Sequence, residues 1–378
     1  MANDFSAYYT QLLVMAQNTL RPNLAMPGLM NYSFDGAAKE HNETINIPIA
    51  AARAVSNVTP GPNHEANEDS TPSKIPLTLT EWKKAKFHIA DDEWARMSTG
   101  QMPSQAAEAV KALATEINRF LLSHYTKFGG FHGTPGTTPF SDGTTVDATS
   151  IIRILNDQHA PDAGRSCVLG SMAQANALNV RAFQAADWRG NSETIQSGKL
   201  GYVLGMNWLL DTHVPTHTAG TLTGTITASS AAAGATSVTL TTDAGEAINL
   251  LEGDIVTFAG HTQTYVVDAN LNVGASSGGA VLIYPALQTS LAGGETISVK
   301  GDHEVNLAFQ QEAIAFATRP LVDVSFTGGQ VVQSIRDPHT GITLRLTIVR
   351  QSFQTTYYFD LLYGAAVVRR SSGARLAG

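Results

Sequence analysis

The chain is short of charge. Asp, Glu, Lys and Arg make up 15% of its 378 residues, against about 25% in an ordinary soluble globular protein. Its 43% hydrophobic content supplies a large core, which excludes a disordered chain. A folded protein that cannot cover itself with charge meets protein rather than water over much of its surface. Cysteine is nearly missing. Cys167 alone rules out an internal disulfide framework and any cysteine-rich zinc site. Basic residues are outnumbered, 24 against 32 acids for a net charge of −8, the wrong sign for a general nucleic-acid binder. No apolar run approaches the roughly 18 residues of a membrane span. The N-terminus has neither a basic n-region nor a small-residue cleavage site, so no export signal is read and synthesis is expected in the cytosol. The sequons at Asn31, Asn42 and Asn57 are then chance in a Thr- and Ser-rich chain.

The length exceeds what one compact core usually holds, so two or three domains are expected. Residues 4–19 read as a helix with Tyr9, Leu12, Leu13, Ala16 and Leu20 on one face, ended by Arg21-Pro22, an arm that lies on something else. Ile45, Ile47 and Ile49 alternate on one strand, and Ile75, Leu77 and Leu79 open a second that runs on to Ile89. Between them lies a polar tip, 59–73, with three prolines. Pro48 and Pro76 each remove a ladder donor, which suits a two-stranded ribbon and not a central sheet. Such a ribbon is marginal alone, so it is expected to lie on a neighbouring subunit and to order on assembly. The strongest periodicity is a helix over 102–128. Ala106, Val110, Leu113, Ile117, Leu121 and His124 form its stripe, Pro103 sits in its first turn and Gly129-Gly130 stops it, giving a rod about 38 Å long.

A Gly/Pro/Thr-rich loop fills 129–143. Asp147 caps a helix to Gln158 with Ile151, Ile152 and Leu155 inward. Arg165–Gly170 is a buried strand delivering Ser171 as the cap of a helix 172–178, and 200–210 adds strand material. Composition then changes, with no Lys or Arg between Lys199 and Lys300. Ser237–Leu240, Ile255–Phe258, Thr264–Val267, Ala280–Tyr284 and Thr296–Val299 are short strands at even spacing between Gly-rich turns, the pattern of a small all-β barrel or sandwich. Its two ends, His213–Thr218 and Gly301–His303, read as hinges. Beyond it, Asn306 opens a strand running into a short helix ended by Pro320. A hairpin, 331–335 with 342–349, turns at Asp337–Gly341, and Phe353, Thr355, Tyr357, Phe359 and Leu361 alternate on a last strand. Arg369–Gly378 is a short basic tail.

Chemistry is thin. No phosphate loop, dinucleotide fingerprint, nucleophile elbow or zinc-protease helix occurs. His213 and His217, with Asp211 nearby, have a spacing that could ligate a metal, but Pro215 disfavours a helix and no further ligand is close; they read as solvated hinge histidines. Asp91-Asp92-Glu93 opens a short helix before Trp94, where acids suit the dipole. Cys167 lies between apolar neighbours and reads as an inert buried thiol. Lys83, Lys84 and Lys86 beside Trp82 have the interleaving of a nucleic-acid contact, yet on a docking ribbon they suit an acidic protein surface better. After Lys300 every basic residue is Arg, and Arg345 and Arg350 are expected to pair with acids of an adjacent subunit near Asp91–Glu93 or Glu65–Asp69. No catalytic, cofactor-binding or metal residue is assigned, and no cofactor is implied.

The order of parts resembles the Hong-Kong-97-type fold of tailed-phage major capsid proteins, among them podovirus coat proteins with an inserted β-domain. The residues that carry the resemblance are Glu43–Pro48 leading up the ribbon, Leu77–Glu93 leading down it, Gly220–Asp302 as the insertion, and Asn306–Leu321 returning from it. The resemblance implies an α+β chain divided into an N-arm, 1–43, an E-loop, 44–97, and the spine helix of a P-domain, 98–128. An A-domain, 129–220, an inserted β-domain, 221–300, and the return of the A- and P-domain sheet, 301–378, would follow. It implies a structural protein, not an enzyme, that assembles through pentamers and hexamers into an icosahedral shell around double-stranded DNA. Its partners would be itself, a separate scaffolding protein, a portal and a decoration protein, with DNA touched only weakly and no membrane. The autocatalytic cross-linking of one branch is not carried over, because nothing marks Lys74 or an asparagine for it. The rival reading is a secreted or surface carbohydrate-binding protein using the β-domain, which would need an export signal. A metal enzyme at His213 and His217 comes third.

Overall fold

The computed structural model describes residues 6–20, 24–31, 33, 44–49, 55, 57, 72–92, 104–185, 193–319, 321, 330–337 and 341–378. The ribbon tip, the sequon at Asn42, Glu93, Trp94 and Pro320 lie outside them. Helix α1 (Ser6–Leu20) is followed by strands β1 (Thr44–Ile49), β2 (Ser73–Thr78) and β3 (Glu81–Ala90), and then by the long helix α2 (Ser104–Ser123), which tightens into a 3-10 turn at His124–Lys127. The apolar stripe of α2 does what its spacing demands. Ala106, Val110, Leu113, Ile117 and Leu121 are all buried, and Leu12, Leu13, Ala16 and Leu20 of α1 join them in one cluster. The expected arm is thus corrected for α1, which belongs to the core of its own chain.

Next come β4 (Gly130–His132), inside the stretch read as loop, and helix α3 (Val146–Asp157). Asp147 sits in the first turn of α3 rather than at its cap. Its carboxylate accepts from Phe140 N at 2.6 Å and meets His132 Nε2 at 3.1 Å. Strand β5 (Arg165–Leu169), helices α4 (Ser171–Asn179), α5 (Arg181–Gln184) and α6 (Glu193–Ser197), and strands β6 (Gly201–Val203), β7 (Met206–Leu210) and β8 (Thr216–His217) follow. Gly170, not Ser171, is the N-cap of α4. A side chain there would collide with the Glu304 carboxylate.

Nine strands come next: β9 (Thr221–Thr223), β10 (Thr227–Ala228), β11 (Ser237–Thr241), β12 (Ala247–Leu250), β13 (Ile255–Phe258), β14 (Tyr265–Val267), β15 (Leu271–Val273), β16 (Gly278–Tyr284) and β17 (Ile297–Val299). They form a six-stranded sheet, β10-β11-β16-β14-β13-β17, and a three-stranded sheet, β15-β12-β9. Alternate residues such as Val238, Leu240, Ile248, Leu250, Val281 and Ile283 meet in a separate apolar cluster. All five strands expected from the sequence are present; β9, β10, β12 and β15 are additional.

The chain returns in β18 (His303–Gln310), turns through a 3-10 bend at Gln311–Ala313, and continues as β19 (Ile314–Arg319). The short helix expected here is corrected: Ile314, Phe316 and Thr318 suit a strand, and pairing with a neighbouring strand decides it. Strands β20 (Gln330–Arg336) and β21 (Thr343–Gln351) make the expected hairpin. Strand β22 (Gln354–Val367) is 14 residues long, and β23 (Gly373–Ala377) ends the chain. In this five-stranded sheet β22 pairs with β21, β19 and β3. Tyr357, Phe359, Leu361 and Tyr363 face α1 and α2 together with Phe87 and Ile89, and Phe87 stacks on Tyr357 at 4.9 Å. Phe353, expected on the buried face, is exposed.

The second strand of the ribbon is therefore two strands with different partners. β2 pairs with β1, Ile75 opposite Ile47, and β3 pairs with β22, Phe87 opposite Tyr357. The base of the ribbon also has a seat on its own chain, where Ile45, Ile47, Leu77 and Leu79 pack on Ala315 and Ala317 of β19. For the base, that corrects the expectation that the ribbon lies on a neighbouring subunit.

The remaining sheet runs β4-β23-β18-β5-β7-β6, with β8 also on β18. Its β18 separates two cores. Val305, Leu307 and Phe309 join the cluster of α1 and α2, while Ala308 joins that of α3 and α4. The C-terminal tail is corrected most sharply, since β23 is buried along its whole length between β4 and β18.

Candidate functional site

The two chain crossings into the sandwich lie side by side, His217 of β8 opposite His303 of β18. Between them and the sandwich is a cluster of buried polar groups. Asp254, in the β12–β13 turn, accepts from His217 Nε2 at 2.8 Å, Leu251 N at 2.7 Å and Gly220 N at 3.1 Å. His217 Nδ1 meets the Tyr125 hydroxyl, past the end of α2, at 2.9 Å. Arg375 of β23 donates from Nη1 to the Gly253 carbonyl at 2.6 Å, and its guanidinium lies 5.0 Å from the Tyr125 ring centre. Burial pulls the pKa of Arg375 down to about 9, against the pull of Tyr125 and Asp254. His303 donates from Nδ1 to the Gly301 carbonyl at 2.9 Å. Burial lowers its pKa, and the charges of His217 and Arg375 act in the same sense. Nε2 of His303, and Nε and Nη2 of Arg375, have no hydrogen-bond partner among the described residues.

Around the cluster runs a rim of ion pairs. Lys127 bridges Glu252 at 2.8 Å and Asp268 at 3.1 Å, and Arg370 binds both oxygens of Asp268 at 3.1 Å while lying 4.1 Å over the Tyr284 ring. Inside the rim, Phe131 and Ala377 pack on Ile255 and Val266 of the sandwich. The sandwich is thus fastened to the end of α2 and to β23. The two ends read as hinges are pinned, and His217, expected to be solvated, is 3% exposed.

Chemically, carboxylate, imidazole and hydroxyl in a row form the relay that orients a nucleophile in acyl-transfer enzymes. Here Asp254, His217 and Tyr125 are all closed to solvent, so no substrate reaches the hydroxyl and the relay fixes a fold junction.

The other residues singled out from the sequence fall apart spatially. His213 Nδ1 meets Asp211 at 2.8 Å whereas His217 meets Asp254 and Tyr125, and no metal-binding cluster of His, Cys, Asp or Glu occurs among the described residues. Cys167 is buried and its thiol pKa is pushed far up by burial. Asp91 pairs with Arg350 of the same chain at 2.8 Å, and Arg345 pairs with Asp360; both arginines were expected to reach another subunit. Lys83 points to Glu81 and to Glu116 of α2 at 3.1 and 3.3 Å. Trp82, Lys84, Lys86 and His88 alternate on the exposed face of β3. A cleft of about 550 Å³ between α3 and the sandwich is lined by Arg153, Asp157, Gln158, Gln263, Gln288 and Tyr284. Tyr125, Asp254 and Arg375 were missed from the sequence as members of this cluster, and His303 was read only as a hinge end. In the structure the small residues of β23 fit close neighbours: a side chain at Gly373 would enter the Phe128 ring.

No helix among the described residues is long and apolar enough to cross a membrane. No family model and no curated protein matches the sequence. In fold, the chain is similar to a structure from Mycobacterium phage Che8, with TM-score 0.54 and 13% identity over 93% of this chain and 90% of that one. It is also similar to the capsid structure of the cyanophage P-SCSP1u, with TM-score 0.50 and 11% identity over 92% and 86%. The chain has the Hong-Kong-97-type α+β fold of tailed-phage capsid structures.

Proposed function

We propose that this chain is a structural major capsid protein, assembling through pentamers and hexamers of itself into an icosahedral shell around phage double-stranded DNA. The observation that carries the reading is the span of the likeness, 92% of the chain against the cyanophage capsid structure. A match over 92% of the chain is not confined to one part of the fold, which favours the shell over the carbohydrate-binding reading. The closed relay at Tyr125 supports a structural rather than a catalytic role. Low charge suits a chain that buries its surface against copies of itself, and a heterologous contact repeated around rings closes a shell when its bend is set. A net charge of −8 keeps contact with DNA weak.

The domain division read from the sequence goes with this proposal: N-arm 1–43, E-loop 44–97, spine helix 98–128, A-domain 129–220, inserted β-domain 221–300, and return 301–378. The separate apolar clusters of the sandwich and of the α3–α4 side support it. Trp82, Lys84, Lys86 and His88 on the open face of β3 are offered to acidic groups of a neighbouring subunit. A scaffolding protein, a portal and a decoration protein complete the partners, and the virion shell is the destination after synthesis in the bacterial host cytoplasm.

Electron microscopy and size-exclusion chromatography of the protein, expressed alone and with its scaffolding protein, test the reading. Capsomers or closed particles are expected. A monodisperse monomer under both conditions would sink it.

A further inference from the structure

His303 stands where three parts of the chain meet, and its hydrogen bonding is half complete. Neutral, it donates from Nδ1 to Gly301 and keeps a bare lone pair on Nε2. The groups around it come from every neighbouring element. The Phe131 ring of β4 lies edge-on with centres 5.3 Å apart, the His217 ring of β8 is tilted at 5.3 Å, and the Arg375 guanidinium of β23 adds a positive charge. Asp302 is the one nearby acid that favours a charged His303, and its Oδ1 is already taken by Ala219 N at 2.7 Å. Beyond His217 stand Tyr125 and Asp254, each hydrogen-bonded to its ring.

We propose that His303 is a proton-operated latch: neutral, it lets the sandwich stay seated on the end of α2 and on β23, and protonated, it loosens that seat. A second proton has to enter on Nε2, where no acceptor waits among the described residues, and the charge arrives beside Arg375. Burial of a cation without a partner is strongly unfavourable. The charge is relieved when the junction opens and water reaches the ring. What opens is the junction rather than the whole fold. The sandwich keeps its own apolar core, whereas its seat consists of the Asp254–His217 and Arg375–Gly253 bonds, the ion-pair rim and a small apolar contact. A unit with its own core can separate locally before it unfolds.

The sign follows from linkage. The pKa of His303 is lowered in the seated state, so the seated state binds the proton less tightly than the open one. Its stabilisation is complete above the ordinary histidine value of about 6.5 and falls away as pH drops below it. The latch belongs to the single chain and holds with or without a shell.

Hydrogen exchange of the full-length, unassembled protein at about pH 7.5 and about pH 5.5, corrected for intrinsic rates, tests it. Amides of His217–Thr221 and Leu251–Asp254 are expected to exchange faster in acid, by up to about tenfold in all, because pH 5.5 lies about one unit below the ordinary histidine value. Amides of Val281–Ile283, inside the sandwich core, are expected not to change. His303→Asn keeps a donor towards Gly301, takes no proton, and is expected to abolish the acid response. Because a buried substitution can unseat the sandwich outright, a second readout is the NMR titration of the wild-type His303 ring. A His303 pKa at or above that of an exposed histidine overturns the proposal. So does wild-type exchange that ignores pH, or a folded His303→Asn protein that keeps the acid response.

Discussion

Arg345 and Asp360 are direct register partners on β21 and β22, joined through both arms of the guanidinium fork: Nε to Oδ1 at 2.9 Å and Nη2 to Oδ2 at 2.5 Å. Trp82 donates to the same Oδ2 at 2.9 Å. Asp360 is 4% exposed, so these donors stand in for its lost hydration. Arg345→Lys replaces a planar fork with a point charge. It should lower the stability of the unassembled protein by about 1–3 kcal/mol, read from the urea midpoint. Arg350→Lys, on an exposed pair with Asp91, should change it by less than about 1 kcal/mol. Equal effects for the two variants would remove the structural role given to Arg345.

Gly364 marks where the chain crosses β22 between β2 and β3. A Cβ there would lie 3.0 Å from Leu79 Cα and closer still to the Thr78 carbonyl oxygen. Backbone cannot swing aside, so Gly364→Ala should destabilise by about 1–3 kcal/mol or more. Gly170→Ala meets only the carboxylate end of Glu304, which can rotate away, and should be milder. Thermal melts of the two variants give the ranking, and the reverse order would show that the crossing is loose.

Periodic elements were legible because their pattern is local. Val110, Leu113, Ile117 and Leu121 occupy the buried stripe of α2 as spaced, and β11, β13 and β16 alternate between Gly-rich turns. What the sequence hid was choice of partner. The odd-numbered apolar residues Leu77, Leu79, Phe87 and Ile89 keep one period-two register across Glu81 and Lys83, and that register does not say that pairing passes from β1 to β22 within it. Ile314–Arg319 mixes helix-favouring Ala and Arg with strand-favouring Ile, Phe and Thr, and pairing with β22 decides for the strand. Arg375 reads as a tail charge, and its burial depends on Tyr125 and Gly253, far away in the chain. The junction at His217 and His303 was half legible: both lie at recognised ends of the β-rich segment, but their burial is tertiary.

The ribbon should show two regimes of protection. Its base, β1 and β2, is paired and seated on Ala315 and Ala317, so its amides should already exchange slowly in the unassembled protein. Residues 50–72 carry the polar, proline-rich tip and should gain protection on assembly, when a neighbouring subunit covers them. Hydrogen exchange before and after assembly distinguishes the two. A base as fast as the tip in the monomer contradicts the intrachain seat, and a tip unchanged by assembly contradicts its role as an inter-subunit contact.

Residues 218–302, excised, test how far the sandwich stands on its own. The piece keeps its apolar cluster and two of the bonds that hold Asp254, from Gly220 N and Leu251 N. It loses His217, Tyr125 and Arg375, and with them the apolar contact of Phe131 and Ala377 on Ile255 and Val266. Losing a seat but not a core should leave a β-type circular dichroism spectrum and a cooperative melt at a temperature below that of the full chain. At the newly exposed seat, Ile255→Ser should raise solubility with little change in melting, whereas the buried Leu240 faces the sandwich core and Leu240→Ala should cost about 2–5 kcal/mol. A random-coil spectrum for the excised piece would show that the sandwich folds only as part of the larger chain, and would overturn the division at 221 and 300.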